Sequence, residues 1–513
     1  MTASRPLNAD RSVGSPAGTT VESWHAAVVD LIAGGERFAG MYGTEVPDGC
    51  RVTALLAGPD GFDAVHSLVV PDAQGRLSYP SLTPAVPSAF WYERAAHDLS
   101  GLVPLGHPRL DPLLLSLEAG NDPPRPGGAV VSGMTTALKS NTPDGPVDVH
   151  GRGMFTLSLG PVRSGVFESI EFLIETPGED IPHLNIRPHY KHRGVAKRFE
   201  GLSVDDAVLV AERVEGIASV AHALAFSHAA ERICATTVSP RAQLWRVVYA
   251  ELERIANHLD VAMRLTEAAG LAVATSRFGW HKEEVMRLMS RLCGSRFGRS
   301  VVVPGGIRVE PRMPPRDAAE QLTAVHRRID ADAALAMNTP SFLDRLRGTG
   351  PLEHEHAAAW GALGPIGRAS GVADDNRWTR PGDAYRALCR TLAPASSDGG
   401  DVMARLRVRW GEIDTAVQLA VAALTAVDRA PGPPRLPVEL PAGPAFGIGW
   451  AEAPQGEVLY AVELQEARIF RCFARSASLH NLVLFHELFH GDVLTDFAFN
   501  EASFGLGYAG VAM

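Results

Sequence analysis

From Val204 onward, apolar residues recur every three to four positions through Ala207–Ile233, Ala242–Leu265, Lys282–Leu292 and Pro315–Ile329, and again through Val408–Val427. That period belongs to helices with one apolar face, and successive faces of this kind are most simply buried against one another. A helical bundle is therefore expected in the middle of the chain. The flanks have another pattern. A helical stretch at Trp24–Ile32 is followed by short β-like runs at Arg51–Leu56 and Ala64–Val70, Gly151–Leu173 is β-rich, and Gly456–Phe473 is a last β-like segment behind the Pro-rich Ala430–Phe446. The expected fold class is multidomain α+β: a small α/β N-terminal domain followed by a mainly α-helical bundle with small β elements.

At 513 residues the chain exceeds what one core organises, so more than one domain is expected. Residues 1–22, rich in Ser, Gly, Pro and Thr and without the apolar core of a secretory signal, read as a disordered tail. The first domain spans 23–120. Three prolines and three glycines in Gly120–Gly128 then break helix and strand alike, opening a linker over 121–150 ahead of a second domain at 151–513.

A net charge of -10 leaves no basic field for phosphates, so nucleic acid is not an expected partner. The longest apolar runs, such as Ala416–Val427, fall short of the roughly 20 residues a membrane span needs. Cys50, Cys234, Cys293, Cys389 and Cys472 are scattered, and no Cys-x-x-Cys pair exists to hold a cluster or soft metal. Such cysteines suit a reducing compartment and inert thiols.

Glu212–Phe226 reads ERVEGIASVAHALAF. It resembles the Arg-Val-Cys-Gly-Ile-Cys-Gly-x-Ala-His signature of nickel–iron hydrogenase large subunits. Arg213, Val214, Gly216, Ile217, Ala221 and His222 match, while Glu215 and Ala218 stand at the cysteine positions. Further stretches are similar, in the same order, to that family and to the related D (49 kDa) subunit of NADH–quinone oxidoreductase, complex I. They are Tyr190 to Gly194, Pro240 to Gln243, Glu253 to Leu259, Arg368 to Gly371, Glu452 to Glu457 and Arg471 to Ser476. Trp91 to Asp98 and Gly101 to Pro104 resemble the C (30 kDa) subunit of the same complex. A fusion of the two is typical of large subunits of the formate hydrogenlyase type.

The resemblance implies a catalytic-core oxidoreductase subunit, active only within a membrane-associated complex. It would be cytoplasmic and peripheral on the inner face of the cell membrane. The implied partners are a small iron–sulfur subunit that delivers electrons, a ferredoxin-like subunit and integral membrane subunits; NAD binding would belong to the complex. A nickel–iron centre needs thiolates from two Cys-x-x-Cys pairs. The second pair falls at Gly507 and Gly510 in the preferred register, and residues 473–513 hold no cysteine. A nickel–iron centre is therefore expected to be absent, and no cofactor is expected on this chain itself.

In the D-type member of complex I the vacated site resembles a quinone-headgroup cavity. The candidate lining here is Arg163, Glu215, Ala218, His222, Phe226, Arg368, Gly507 and Gly510. The match is imperfect: Gly160 to Gly165 lacks the family's histidine, and Phe226 stands where a tyrosine would bond a quinone oxygen. Arg163, His222 or Arg368 would then supply the polar contacts. The alternative is a filled site in a non-catalytic scaffold subunit. A buried Glu215 would need a partner there, with Arg163 and Arg368 as the candidates.

One motif points elsewhere. His486-Glu487-Leu488-Phe489-His490 matches His-Glu-x-x-His, which on a helix places two imidazoles on one face to bind zinc. His486 and His490 would be the ligands of a zinc metallopeptidase. No histidine follows to complete the set, so the bland reading is an amphipathic helix with exposed histidines. His258 reads as a packing histidine, Cys293 as a buried thiol near a helix end, and Arg471 and Arg475 as a solvated strand face.

Overall fold

A computed structural model describes residues 12–13, 20–115, 149–163 and 168–513. The N-terminal part begins with β1 (Ser12–Val13), α1 (Val21–Ala33), β2 (Arg37–Val46), β3 (Gly49–Ala57) and β4 (Phe62–Val69). The strands bond in the order β1-β4-β3-β2, with β1 parallel to β4 and the rest antiparallel. Thr20 starts α1 by accepting from the Ser23 N–H, and the helix buries Trp24 and Val28 on the sheet. β5 (Leu77–Pro80), α2 (Phe90–Ser100) and β6 (Leu102–Leu105) complete the α/β unit. Most of the expected tail lies outside the described residues, but Ser12–Val13 pairs with Ala64–Val65 as a strand. Residues 121–148 of the expected linker also lie outside them.

The second part opens with an antiparallel sheet of β7 (Phe155–Leu159), β8 (Glu171–Thr176) and β9 (His183–Arg187). The helices α3 (Val195–Phe199), α4 (Val204–Ala211), α5 (Ser219–Ile233), α6 (Pro240–Ala268) and α7 (Ala272–Cys293) follow. After the hairpin β10 (Val302–Val303) and β11 (Gly306–Ile307) come α8 (Pro315–Ala336), α9 (Pro340–Leu346), α10 (His354–Ala359), α11 (Gly364–Ala369), α12 (Tyr385–Leu388) and α13 (Val402–Val427). Four of the five periodic stretches form a bundle of α6, α7, α8 and α13, with α6 packed on both α7 and α13. Ala207–Ile233 is instead broken by the turn at Glu212–Ala218 into α4 and α5, and α5 packs mainly on the strands at Ala445–Ala453 and Gly456–Gln465. β12 (Ala445–Ala453), β13 (Gly456–Gln465) and β14 (Arg468–Arg475) form an antiparallel meander, and α14 (Ala477–Leu482), α15 (Phe497–Phe504) and α16 (Tyr508–Ala512) close the chain.

The meander joins the two parts. α5 lies on one face, so close that a Cβ at Gly449 would come within 2.1 Å of the Ala225 carbonyl. The N-terminal sheet covers the other: Tyr42 stacks on Phe473 with ring centres 4.6 Å apart, Phe62 packs on Trp450, and Arg37 reaches Glu457 at 2.7 Å. This double cover corrects the expectation for Arg475. It is fully buried, donating to the Ala39 and Glu457 carbonyls and to the Glu457 carboxylate. Arg471 is half-buried, 3.3 Å from Glu200. Cys293 ends α7 before the left-handed Gly294 and is half-buried. No helix among the described residues is long and apolar enough to cross a membrane.

Candidate functional site

The turn before α5 carries Glu215, and the helix carries His222 one turn in. Gly505, in the left-handed conformation at φ 61°, ends α15 and turns the last residues back onto that turn. Glu215 is thereby enclosed, 1% exposed. Its carboxylate accepts from Ser476 Oγ at 2.6 Å, Ser478 Oγ at 2.5 Å and the Gly507 N–H at 3.1 Å, and His222 Nε2 lies 3.3 Å away. These donors satisfy a buried carboxylate without a guanidinium. His222 Nδ1 faces the Tyr460 hydroxyl at 2.9 Å. Its two ring nitrogens thus bridge the Glu215 carboxylate and the Tyr460 hydroxyl.

The carboxyl group fills the space that side chains at 507 and 510 would take. A Cβ at Gly507 would lie 2.3 Å from Glu215 Oε1, and one at Gly510 would lie 2.7 Å from Glu215 Cδ and Oε2. Ala218, at the remaining cysteine position, is fully buried in the apolar core. A nickel–iron centre does not fit these residues: they offer one hard carboxylate where soft thiolates are required, and that carboxylate is committed to hydrogen bonds.

The two expected partners of Glu215 are engaged elsewhere. Arg163 pairs with Glu501 at 2.5 Å, and the same carboxylate takes the Tyr508 hydroxyl. Arg368, fully buried, pairs with Glu412 at 2.7 Å, Glu452 at 3.0 Å and Asp375 at 3.3 Å. Burial alone would raise the Glu412 carboxyl, but Arg368 and His258 hold it well below the usual range. Phe226 lies on Phe199 and against Tyr460, ring centres 6.0 and 5.9 Å away. Of the candidates, Glu215, His222, Gly507 and Gly510 meet directly, Ala218 and Phe226 flank them, and Arg163 and Arg368 belong to neighbouring networks. Ser164 to Phe167, in the loop expected to differ from the family, lie outside the described residues.

Three further carboxyl and hydroxyl groups belong to the site. Tyr460 supplies a phenol beside Phe226 from the meander, and burial raises it well above its ordinary value. Glu168 accepts from the Ala509 N–H at 2.8 Å; burial raises it, and so does the nearby Glu215. Glu253 of α6 caps α5 by accepting from the Val220 and Ala221 N–H groups at 2.7 and 3.0 Å, and burial pushes it up to about 8. Glu253 also lines a cavity of about 230 Å³ between α6, α7 and the turn at Gly216–Ile217. In the sequence, Glu253 and Ser476 lay inside matched stretches; Tyr460, Ser478 and Glu168 carried no signal, because only the fold brings them to residue 215.

The matched stretches themselves converge. Arg254 donates to the Ala453 and Glu452 carbonyls, Arg368 bonds Glu452, and Arg475 bonds Glu457, forming a buried ionic lattice beside the site. His258 packs within it, Nε2 2.8 Å from Glu412. The His-Glu-x-x-His segment does not form the α-helix a zinc site needs. Val483–Phe489 is a 3-10 helix, in which positions four apart leave the common face, and His486 Nε2 is 2.9 Å from Glu487. His490 is exposed and His486 half-buried.

The family model of the 49 kDa subunit of respiratory-chain NADH dehydrogenase matches residues 272–439, and that of the 30 kDa subunit matches residues 33–126. A D-type subunit of the NADH-quinone oxidoreductase of Streptomyces coelicolor is 30% identical over 346 residues, 66% of this chain and 90% of its own length. The chain belongs to the 49 kDa subunit family, with a 30 kDa-type domain fused ahead of it. Formate hydrogenlyase subunit 5 of Escherichia coli is 28% identical over 434 residues, covering 82% of this chain and 74% of that one. Carbon monoxide-induced hydrogenase of Rhodospirillum rubrum is 30% identical over 60% of this chain and 84% of its own. Family relatives are thus subunits of complex I-like and membrane-bound hydrogenase complexes. The fold is shared with a chain from the membrane-bound sulfane sulfur reductase, an archaeal respiratory membrane complex, at a TM-score of 0.65 and 21% identity, covering 71% of this chain and 99% of that one.

Proposed function

We propose that this chain is a core subunit of a membrane-associated, hydrogenase-like or complex I-like redox assembly, and that it holds the assembly together without a nickel–iron centre. It would dock on a small iron–sulfur subunit, a ferredoxin-like subunit and integral membrane subunits, peripheral on the inner face of the membrane. The observation that carries this reading is Glu215: its hydrogen-bonded carboxyl group takes up the space where thiolates at 507 and 510 would project. A filled position favours the scaffold reading over an acceptor cavity between Glu215 and Arg368.

A second reading keeps the redox role and moves the acceptor. The cavity beside Glu253 has an apolar wall of Leu252, Met286, Met289 and Phe297, with Glu253 and Asn257 on it and the charged Asp260, Arg264, Lys282 and Arg296 also lining it. A quinone-like acceptor has that mixture of a flat apolar body and polar edges. Affinity purification of the chain from membranes tests the assembly. Recovery of an iron–sulfur subunit and a membrane subunit with substoichiometric nickel is expected; stoichiometric nickel, or recovery of the chain alone, overturns the proposal. Loss of quinone-dependent turnover by the purified complex on Met286→Trp would favour the second reading over the scaffold.

A further inference from the structure

α8 and α13 pack against each other, and each buries apolar residues in the core of the bundle: Leu322, Val325 and Ile329 from α8, Ile413, Ala416 and Val417 from α13. His326 follows Val325 and Asp414 follows Ile413, so both come to the edge of that core. His326 and Asp330 are four residues apart on α8 and therefore share a face. Asp414 reaches the same place from α13. His326 Nε2 lies 2.8 Å from Asp414 Oδ1 and 3.3 Å from Asp330 Oδ1, and the three ligand atoms all lie within 4.8 Å of one another. The imidazole is 19% exposed, and the two carboxylates, at 54% and 53%, open to solvent.

As an ion pair this arrangement is incomplete. Two carboxylates face one imidazole, and among the described residues no arginine or lysine pairs with either of them. A proton on His326 balances one carboxylate, whereas a divalent cation bound to the neutral imidazole balances both. The distances suit the second arrangement. Ligand atoms about 2.0–2.2 Å from one ion lie about 3.0–3.4 Å from each other. The 2.8 and 3.3 Å separations here reach that range with a shift of a few tenths of an ångström by one exposed carboxylate. An imidazole nitrogen beside two carboxylates favours zinc or nickel over magnesium or calcium, which prefer oxygen ligands throughout. The helical spacing that the His-Glu-x-x-His segment lacks is present here, because α8 is an α-helix through both of its ligands.

We infer that His326, Asp330 and Asp414 form a binding site for a first-row divalent cation of the zinc or nickel kind, which clamps α8 to α13 and keeps water on its exposed side. The inference is independent of the redox reading, since the site shares no residue with the surroundings of Glu215 or with the cavity beside Glu253.

The test is a calorimetric titration of the full, chelator-treated chain with zinc chloride and with magnesium chloride. Zinc is expected to bind saturably with a Kd of about 10 µM, since three ligands on a half-exposed surface hold an ion less tightly than a closed set of four. Magnesium should bind at least about a hundredfold more weakly. His326→Gln, which keeps a polar side chain but removes the imidazole ligand, and Asp414→Asn, which removes one charge, should each weaken zinc at least about tenfold. His490→Gln should leave zinc binding as it is. Saturating zinc should raise the melting temperature of the unaltered chain but not that of His326→Gln. No saturable zinc binding, magnesium as tight as zinc, or unchanged zinc affinity in either site variant overturns the inference. Loss of zinc binding in His490→Gln, or equal melting shifts with and without His326, does so too. Should His326→Gln fail to fold, Asp414→Asn and the zinc-to-magnesium ratio still decide.

Discussion

Glu215 fills a buried position between the turn before α5 and the last residues of the chain without leaving a hole. Its single carboxylate is held by two serine hydroxyls, a backbone N–H and an imidazole. The prediction is a coupling between positions far apart in sequence. Gly510→Ala should destabilise the chain by about 2 kcal/mol, since its methyl group would overlap the carboxyl. Glu215→Ala should cost about 1–3 kcal/mol, because the serine and Gly507 donors lose their acceptor. In the double variant the methyl group enters vacated space, so the costs should fall clearly short of additive in urea unfolding. Strict additivity would mean that the carboxyl group does not fill the site. The sequence marked positions 215, 507 and 510 through their neighbours, but it suggested Arg163 or Arg368 as the counter-charge. A buried carboxylate satisfied by neutral donors has no signature along the chain, because Ser476 and Ser478 reach it only after the meander folds back.

At the scale of elements, legibility followed how many faces each element buries. α6, α7, α8 and α13 have apolar periods that the structure repeats. β14 has both faces covered, so the arginine that looks solvated in the pattern, Arg475, is buried against Glu457. The contact of α2 with α14 was equally hidden. Tyr92 O–H donates to His480 Nδ1 at 2.9 Å, while His480 Nε2–H points at the Gly361 carbonyl at 2.9 Å. With those donor and acceptor roles the imidazole is neutral. Burial, with Arg475 and Arg37 nearby, lowers its pKa to about 3, against 6.5 for the free side chain. Between these values the unfolded chain binds a proton that the folded chain does not, so the stability from this contact is present above about pH 6.5 and lost as pH falls toward 3. Urea unfolding between pH 7 and 4 should show that loss, at up to about 1.4 kcal/mol per pH unit from this group. His480→Gln should be less stable at pH 7 but have a shallower acid slope. An unchanged slope would show that His480 is not the group responsible.

The whole molecule is more tightly fused than its two-part ancestry suggests. One apolar cluster includes Trp24, Phe38 and Trp91 from the N-terminal part together with Phe172, Phe485 and Val511 from the rest. Arg37–Glu457, Arg51–Glu463 and the Arg475–Ala39 bond cross the same boundary. Cutting there would expose apolar surface on both sides and take Arg37 from Glu457, which would keep Arg475. The exposed apolar surface is the larger loss, and a few kcal/mol is a large share of the stability of any domain. The expected outcome is that the N-terminal part gives no unfolding transition of its own. Calorimetry of the full chain should lack a separate early peak, and hydrogen exchange at β2 and β3 should be lost together with exchange at β13. A chain beginning at residue 149 should bind a hydrophobic dye and melt well below the full chain. A resolved N-terminal transition, or equal melting of the shortened chain, would mean that the shared core and the crossing ion pairs contribute little, and that the parts behave as tethered subunits.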